Sequence, residues 1–392
     1  MIPIAVPNLA GNEGAYLAQC VAENFVSSVG AFVTRFEQMV AEASGAPDAV
    51  ATASGTTALH TALATLGVGH GDLVILPAMT FIGSANAINQ AGARPWLIDV
   101  SRESWTLDPQ RLEAALAGKT RRDGDGSLRH IATGERVAAI MPVYTMGVPA
   151  EMDTISAVAR QYGLPVVADA AAALGATYQG KPIAAMGADI SCFSFNGNKT
   201  VTCGGGGAIV ASDPKLSARA RHLSTTARVG RNYDHDVAGF NYRMTNLQAA
   251  VGVAQMENLE LFLDRKRRIA TLYQDRLTRH PLLSAFPNPN HAQGTFWFSG
   301  VVLDRSIGER LPETIEHLRA NDIDARLFWK PMHLQAPYAD CPREALDVTE
   351  DVWQRVLVLP CSTSLTDAEQ EHVIAAVLSA PALRVERTRS IA

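Results

Sequence analysis

Lysine is scarce in this chain, with six in 392 residues: Lys119, Lys181, Lys199, Lys215, Lys266 and Lys330. A formal charge of -5 with mixed signs leaves no broad basic face, which argues against a phosphate backbone, and so against nucleic acid, as a partner. The five cysteines, Cys20, Cys192, Cys203, Cys341 and Cys361, show no CxxC spacing and no clustering with histidine. Reduced thiols are therefore expected, and a structural metal is not. The opening MIPIAVPNLAGNEG lacks the basic start and apolar run of a secretion signal, and no segment offers about eighteen uncharged apolar residues in a row. A cytoplasmic protein without membrane contact is expected. The nucleotide motif GxxxxGK followed by Ser or Thr is missing, and GGGG at 204-207 precedes a strand rather than a helix, so triphosphate and dinucleotide readings lose ground.

What is present is a chain that is 47% hydrophobic and long enough for about two or three domains. Aliphatic runs at 72-77, 94-100, 136-144 and 164-169 alternate with helical periodicity in ALHTALATLG, DPQRLEAALAG and MDTISAVARQYG. That alternation predicts an α/β fold with a mainly parallel sheet. The stretch 118-135, rich in glycine and charge, reads as a surface loop or small excursion. From Thr245 a proline-free run predicts one or two long helices bridging to a smaller C-terminal α/β domain with strands at FWFSGVVL and VLVLP. The expected division is a large domain with an N-terminal arm at 1-255, then the bridging helix and small domain at 256-392.

Each lysine can be asked whether its surroundings would tune an amine for covalent work. Lys119, Lys181, Lys215, Lys266 and Lys330 stand in polar loops, turns or charged helix runs and read as solvated surface charges. Lys199 follows ISCFSF and precedes GGGGAIVAS, which predicts a partly buried amine at a strand end. Burial disfavours the ammonium form, and the neutral amine is what attacks an aldehyde. A structural lysine is the other reading. Asp169 ends LPVVAD, so its carboxylate should emerge at the carboxyl edge of the sheet, where it could keep a pyridinium nitrogen protonated or simply cap a helix starting at Ala170. In ATASGTTALHTAL, Ser54, Gly55, Thr56 and Thr57 open a helix whose free N–H groups favour an anion, a pattern that ordinary N-capping also produces.

Taken together, ASGTTALHTAL, TFIGSANAI, MDTI, ADAAAALGATYQGK, CFSFNGNKT, GGGGAIV and GFNYRMTNLQAAVGVAQ resemble the DegT/DnrJ/EryC1/StrS family of sugar aminotransferases from about residue 20 to residue 280. PMHLQAPY and LPCSTSLTDAE fit as well. The resemblance implies the aspartate aminotransferase-like fold (type I) with pyridoxal 5'-phosphate as cofactor. Lys199 would be its covalent anchor and proton shuttle, Asp169 the pyridinium partner and Phe81 the ring stacked on it. Gly55, Thr56, Thr57 and Ser194 would hold the phosphate, with Asn241 reaching it from the second subunit of a homodimer. Ala172 occupies a cofactor-facing position where relatives usually carry a polar side chain, and Tyr144 and Met146 replace a histidine and a tyrosine.

VSSVGAFVTRFE and FSFNGNKTVTCGGGGA are similar to the subgroup that aminates C4 of UDP-linked 4-keto-6-deoxy-N-acetylhexosamines for bacterial surface glycans. Glutamate would be the amino donor and a keto-sugar nucleotide the acceptor, in a ping-pong exchange. Arg326, Trp329 and His333 in DARLFWKPMH are candidates for the sugar-nucleotide wall, or ordinary surface and core. A cofactor-dependent sugar dehydratase and a catalytically idle cofactor-binding regulator are the competing readings.

Overall fold

Short aliphatic runs without charge are stable as strands where both faces are covered, and the large sheet is built from them. Its strands are β1 (Ala49–Thr52), β2 (Asp72–Pro77), β3 (Arg94–Ile98), β4 (Arg136–Ile140), β5 (Val167–Asp169), β6 (Ile190–Ser194) and β7 (Gly207–Ala211). In the computed structural model, which describes residues 1-384, they line up as β3-β2-β4-β5-β6-β7-β1. Parallel bridges from Ile140 to Val166 and from Val143 to Asp169 join the two halves. Every neighbouring pair is parallel except those of β7, which runs against both β6 and β1. The expected α/β sheet is there. β2 fills its run, whereas β3 and β4 end before theirs do: residues 141-144 continue past β4 toward Asp169, with Tyr144 N–H donating to the Asp169 carbonyl at 2.9 Å.

Helices Gly55–Thr65, Pro109–Lys119 and Met152–Tyr162 stand where the periodicity placed them. Segment 118-135 differs from expectation. Its ends pair as a hairpin, Thr120–Arg122 against Leu128–His130, and Arg129 extends the edge of β4 at Arg136. An edge hairpin tolerates a charged outer surface, and Arg129 meets Asp123 there at 2.6 Å. From Thr245, whose side chain and that of Gln248 form a capping box, the chain makes two helices, Asn246–Met256 and Leu259–Leu277.

Lys266 corrects the reading of a solvated charge: it is 2% exposed and donates to the carbonyls of Trp297 at 2.8 Å and Cys361 at 2.6 Å. Its spacing explains why. Phe262, Lys266, Ile269 and Tyr273 fall on one buried stripe of the helix, and the neighbouring charges of DRKRR point elsewhere.

Beyond this helix, β8 (Leu283–Ala285), β9 (Ser299–Leu303), β10 (Arg326–Leu327) and β11 (Val356–Leu359) form an antiparallel sheet in the order β8-β9-β11-β10. Helices Leu311–Ala320 and Asp367–Ser379 pack with it around Ile315, Leu318, Val373 and Val377. Apolar side chains from both sheets, among them Met79, Val100, Trp105, Val302, Phe328 and Val358, share a further cluster. All five cysteines are buried and unpaired. Among the described residues no helix is long and apolar enough to cross a membrane.

Asp99, at the end of β3, fastens the C-terminal part to the large sheet. Fully buried, it accepts from the N–H groups of Val348 at 2.8 Å and Thr349 at 2.9 Å and from the Thr349 hydroxyl at 2.6 Å. Asp99→Ala would strand these donors in a site closed to water and is expected to destabilise the fold by about 3–5 kcal/mol. Urea unfolding at neutral pH measures this, and a loss under about 1 kcal/mol would contradict the assignment.

Candidate active site

The carboxyl edge of β5 and β6 opens into a cleft of about 560 Å³, closed on its far side by Trp297, Phe298 and Arg326–Trp329. Two parallel neighbours bring its chemistry together. β5 ends in Asp169, which pairs in register with Cys192 of β6, and β6 leads through Ser194 into the turn that carries Lys199. No helix starts at Ala170. Instead the Asp169 Oδ1 accepts from the Ala171 N–H at 3.1 Å, and Oδ2 accepts from the Ser84 hydroxyl at 2.6 Å.

Burial acts in opposite senses on these two groups. Asp169, 6% exposed, is pushed above the usual carboxylate range by desolvation, against the pull of Ser84, Ala171 and the Lys199 charge. Lys199 is brought down to about 8 by desolvation, against the attraction of Asp169. Near neutral pH its amine is therefore within reach of its neutral, nucleophilic form. The Lys199 Nζ lies 3.5 Å from the centroid of the Trp297 ring.

The opposite end of the cleft is a cradle. Ser54 caps helix Gly55–Thr65, whose first N–H groups have no acceptor within the helix and face the cleft at Gly55 and Thr56. A Cβ on Gly55 would come within 2.7 Å of the Ser194 Cβ, and one on Gly207 within 2.3 Å of the Ser54 carbonyl oxygen. Glycine is thus what lets three segments converge there. Gly55, Thr56 and Ser194 could hold an anionic group of phosphate size, Asp169 could pair with a ring-nitrogen cation, and the Lys199 amine could join an aldehyde carbon.

The sequence-predicted residues divide. Gly55, Thr56, Phe81, Asp169, Ala172, Ser194, Lys199, Arg326 and Trp329 line the cleft. Phe81, 56% exposed, faces it and meets Trp329 at 5.9 Å between centroids. Thr57 does not line it: its hydroxyl is spent on the capping box, accepting from the Ser54 N–H at 3.0 Å, while its own N–H donates to the Ser54 hydroxyl. His333 is also outside. It is 8% exposed, sits 3.3 Å from Glu350, and burial pushes its pKa down. Asn241 is exposed and bridged to Thr225, away from its own chain's cleft.

The sequence reading missed Ser84 and Trp297. Ser84 is readable only as the buried face of the helix after Phe81, and Trp297 arrives from a distant segment. Tyr144 and Ala172 both line the cleft, and the Tyr144 hydroxyl is buried with no hydrogen-bond partner among the described residues. Desolvation holds that phenol protonated, far above its usual range.

Comparison with known proteins agrees with this geometry. The DegT/DnrJ/EryC1/StrS aminotransferase family model matches residues 7-378. A GDP-perosamine synthase of Caulobacter vibrioides is 38% identical, with 96% of this chain and 97% of that protein covered. A GDP-perosamine synthase of Escherichia coli is 35% identical over 95% and 96%. The crystal structure of S. venezuelae DesV in complex with a ketimine intermediate superposes with a TM-score of 0.85 at 32% identity, covering 96% of this chain and 95% of that one. The chain therefore belongs to the DegT/DnrJ/EryC1/StrS aminotransferase family and is a pyridoxal-phosphate-dependent sugar aminotransferase acting on keto intermediates of nucleotide sugars.

Proposed function

We propose that this enzyme moves the amino group of glutamate to C4 of a 4-keto-6-deoxyhexose carried on GDP, in amino-sugar biosynthesis for a bacterial surface glycan. The observation that carries the chemistry is the convergence of Lys199, Asp169 and the Gly55–Thr56 cradle on one cleft. The nucleotide rests on the GDP-perosamine synthases among the relatives, and it replaces the UDP-linked N-acetylhexosamine suggested by VSSVGAFVTRFE and FSFNGNKTVTCGGGGA.

Pyridoxal phosphate, when bound, supplies an aldehyde carbon and an electron-withdrawing ring. Lys199 would be the residue that holds that carbon, and its amine, when free, would be the group that takes up and returns a proton in each half of the exchange. Asp169, which accepts from the Ser84 hydroxyl, would be the partner that keeps the ring nitrogen protonated. Gly55, Thr56 and Ser194 would hold the phosphate, Ala172 would leave its place beside the cofactor apolar, and Phe81 would cover the ring. Arg326 and Trp329 receive the sugar nucleotide, since a guanidinium pairs with diphosphate and an indole offers a flat face.

On this reading residues 1-255 hold the cofactor, and the part from 256 carries the acceptor wall. Asn241 serves the phosphate of the partner subunit in a homodimer. The exposed apolar side chains of Val21, Phe25, Val26 and Val29 support such a contact surface.

Two tests follow. The absorbance band of the loaded wild type is expected to shift on adding glutamate, and Lys199→Ala to lose both the covalent attachment and the shift. Supplied next with GDP-linked and UDP-linked 4-keto sugars, the enzyme should aminate the GDP-linked one at the higher kcat/KM. A preference for the UDP-linked N-acetylhexosamine would overturn the nucleotide assignment, and silence toward glutamate would overturn the donor.

The second concerns Asp169. Because its pKa is raised in the folded state, the folded protein binds this proton more tightly than the unfolded chain, so stability falls as pH rises from the ordinary carboxylate range through the raised value. Asp169→Asn should therefore make the cofactor-free protein more resistant to urea at pH 7 and slow transamination by about a hundredfold or more. Unchanged turnover, or a less stable cofactor-free variant, would count against this role.

A further inference from the structure

Trp297 lies on the segment leading into β9, and its indole makes two contacts with the lysine loop. Its Nε1–H donates to the Asn198 carbonyl at 2.7 Å, next to Lys199 in the chain. Its face lies 3.5 Å from the Lys199 Nζ. The ring is 3% exposed and is stacked on Phe298 with centroids 4.0 Å apart, so it has little freedom to turn away.

The main chain of Trp297 is held by Lys266. This buried ammonium is within hydrogen-bond reach of the Trp297 carbonyl at 2.8 Å, the Cys361 carbonyl at 2.6 Å and the Cys361 Sγ at 3.6 Å, and it makes no ion pair with a carboxylate among the described residues. A buried charge satisfied by main-chain carbonyls fixes the position of those carbonyls. Here it ties the helix Leu259–Leu277, the entry to β9 and the exit of β11 to one point at the Trp297 main chain, from which the indole projects.

The transamination cycle needs the Lys199 amine released from the cofactor while donor or acceptor is attached. A long side chain set free in a desolvated cleft would either lose its proton or swing onto the Asp169 carboxylate. An aromatic face stabilises the cationic form without adding a counter-charge that would compete for Asp169. We propose that Trp297 is the resting face of the Lys199 amine whenever it is not joined to the cofactor, and that Lys266 is the positioning residue that holds the indole there. The proposal rests on the reading of Lys199 as the cofactor-anchoring lysine.

The test follows the pH profile of Lys199 acylation by a trace amine reagent, quantified by peptide mass spectrometry on the full-length cofactor-free protein. Asp169, Tyr144 and Arg326 are the charged or titratable groups lining the same cleft, and all are retained in every variant. Trp297→Leu keeps apolar bulk but removes the π face, and should lower the midpoint by about 0.5–1 pH unit; Trp297→Phe, with a weaker face, should fall between it and wild type. Lys266→Met should shift the midpoint in the same direction, and if it does not fold, Lys266→Arg, which keeps the charge but not the compact ammonium geometry, replaces it. A folded Trp297→Leu protein with the wild-type midpoint overturns the proposal. Borohydride trapping of the cofactor on wild type separates the two failures: attachment at another residue refutes the anchoring role of Lys199, whereas attachment at Lys199 with coincident midpoints refutes only the role of Trp297.

Discussion

The whole arrangement depends on keeping an amine and a carboxylate together in a cleft from which water is largely withdrawn. Desolvation drives both toward their neutral forms. For Lys199 that is the useful direction, because the neutral amine is the nucleophile. For Asp169 it is the wrong one on the proposed function, because a protonated carboxyl would not stabilise a cationic ring nitrogen. The fold answers this difference unevenly: the Asp169 carboxylate receives a hydroxyl from Ser84 and an N–H from Ala171, whereas Lys199 meets the face of an aromatic ring. Ser84 is in turn within 2.8 Å of Thr80, so the support for Asp169 reaches back through the helix that follows β2.

Much of this was legible in the sequence where the informative residues are neighbours in the chain. Asp169 at the end of LPVVAD, Lys199 between ISCFSF and the glycines, and Gly55–Thr56 after Ser54 each stand at a strand end or helix start, and the parallel sheet gathers such ends along one edge. Thr57 shows the limit of local reading. A capping box and a phosphate cradle share the same small hydroxyl residues, and in the fold the Thr57 side chain turns back to Ser54. Lys266 shows another: judged by its neighbours in DRKRR it is a surface charge, while judged by its helical spacing from Phe262 and Ile269 it is core. His333 stands four residues past Trp329, but the chain turns after Pro331 into a short 3-10 helix that buries the imidazole against Glu350.

Trp297, Asp99 and Ser84 were not legible, for a common reason. Each acts through a partner far away in sequence: Trp297 on Asn198 and Lys199, Asp99 on Val348 and Thr349, Ser84 on Asp169. None has a local pattern that sets it apart from a core aromatic or a capping aspartate or serine. The strand that carries Arg326 is only two residues long, so its hydrophobic pattern says little about where the guanidinium will point.

This division bears on what can vary independently. On the proposed function the cofactor end is built from strand ends of one sheet, where a change in register would displace Gly55, Asp169 and Lys199 together. On the proposed function the acceptor wall comes from β10 and the segment just after it, and the C-terminal part that carries it is fastened to the large sheet through Asp99 and to the lysine loop through the Trp297 indole on the Asn198 carbonyl. The two can diverge because the wall meets the cleft through side chains such as Arg326 and Trp329 rather than through shared strands. Acceptor choice therefore has to be argued from that wall and its attachment points, since an unchanged cofactor end can accompany very different sugar nucleotides.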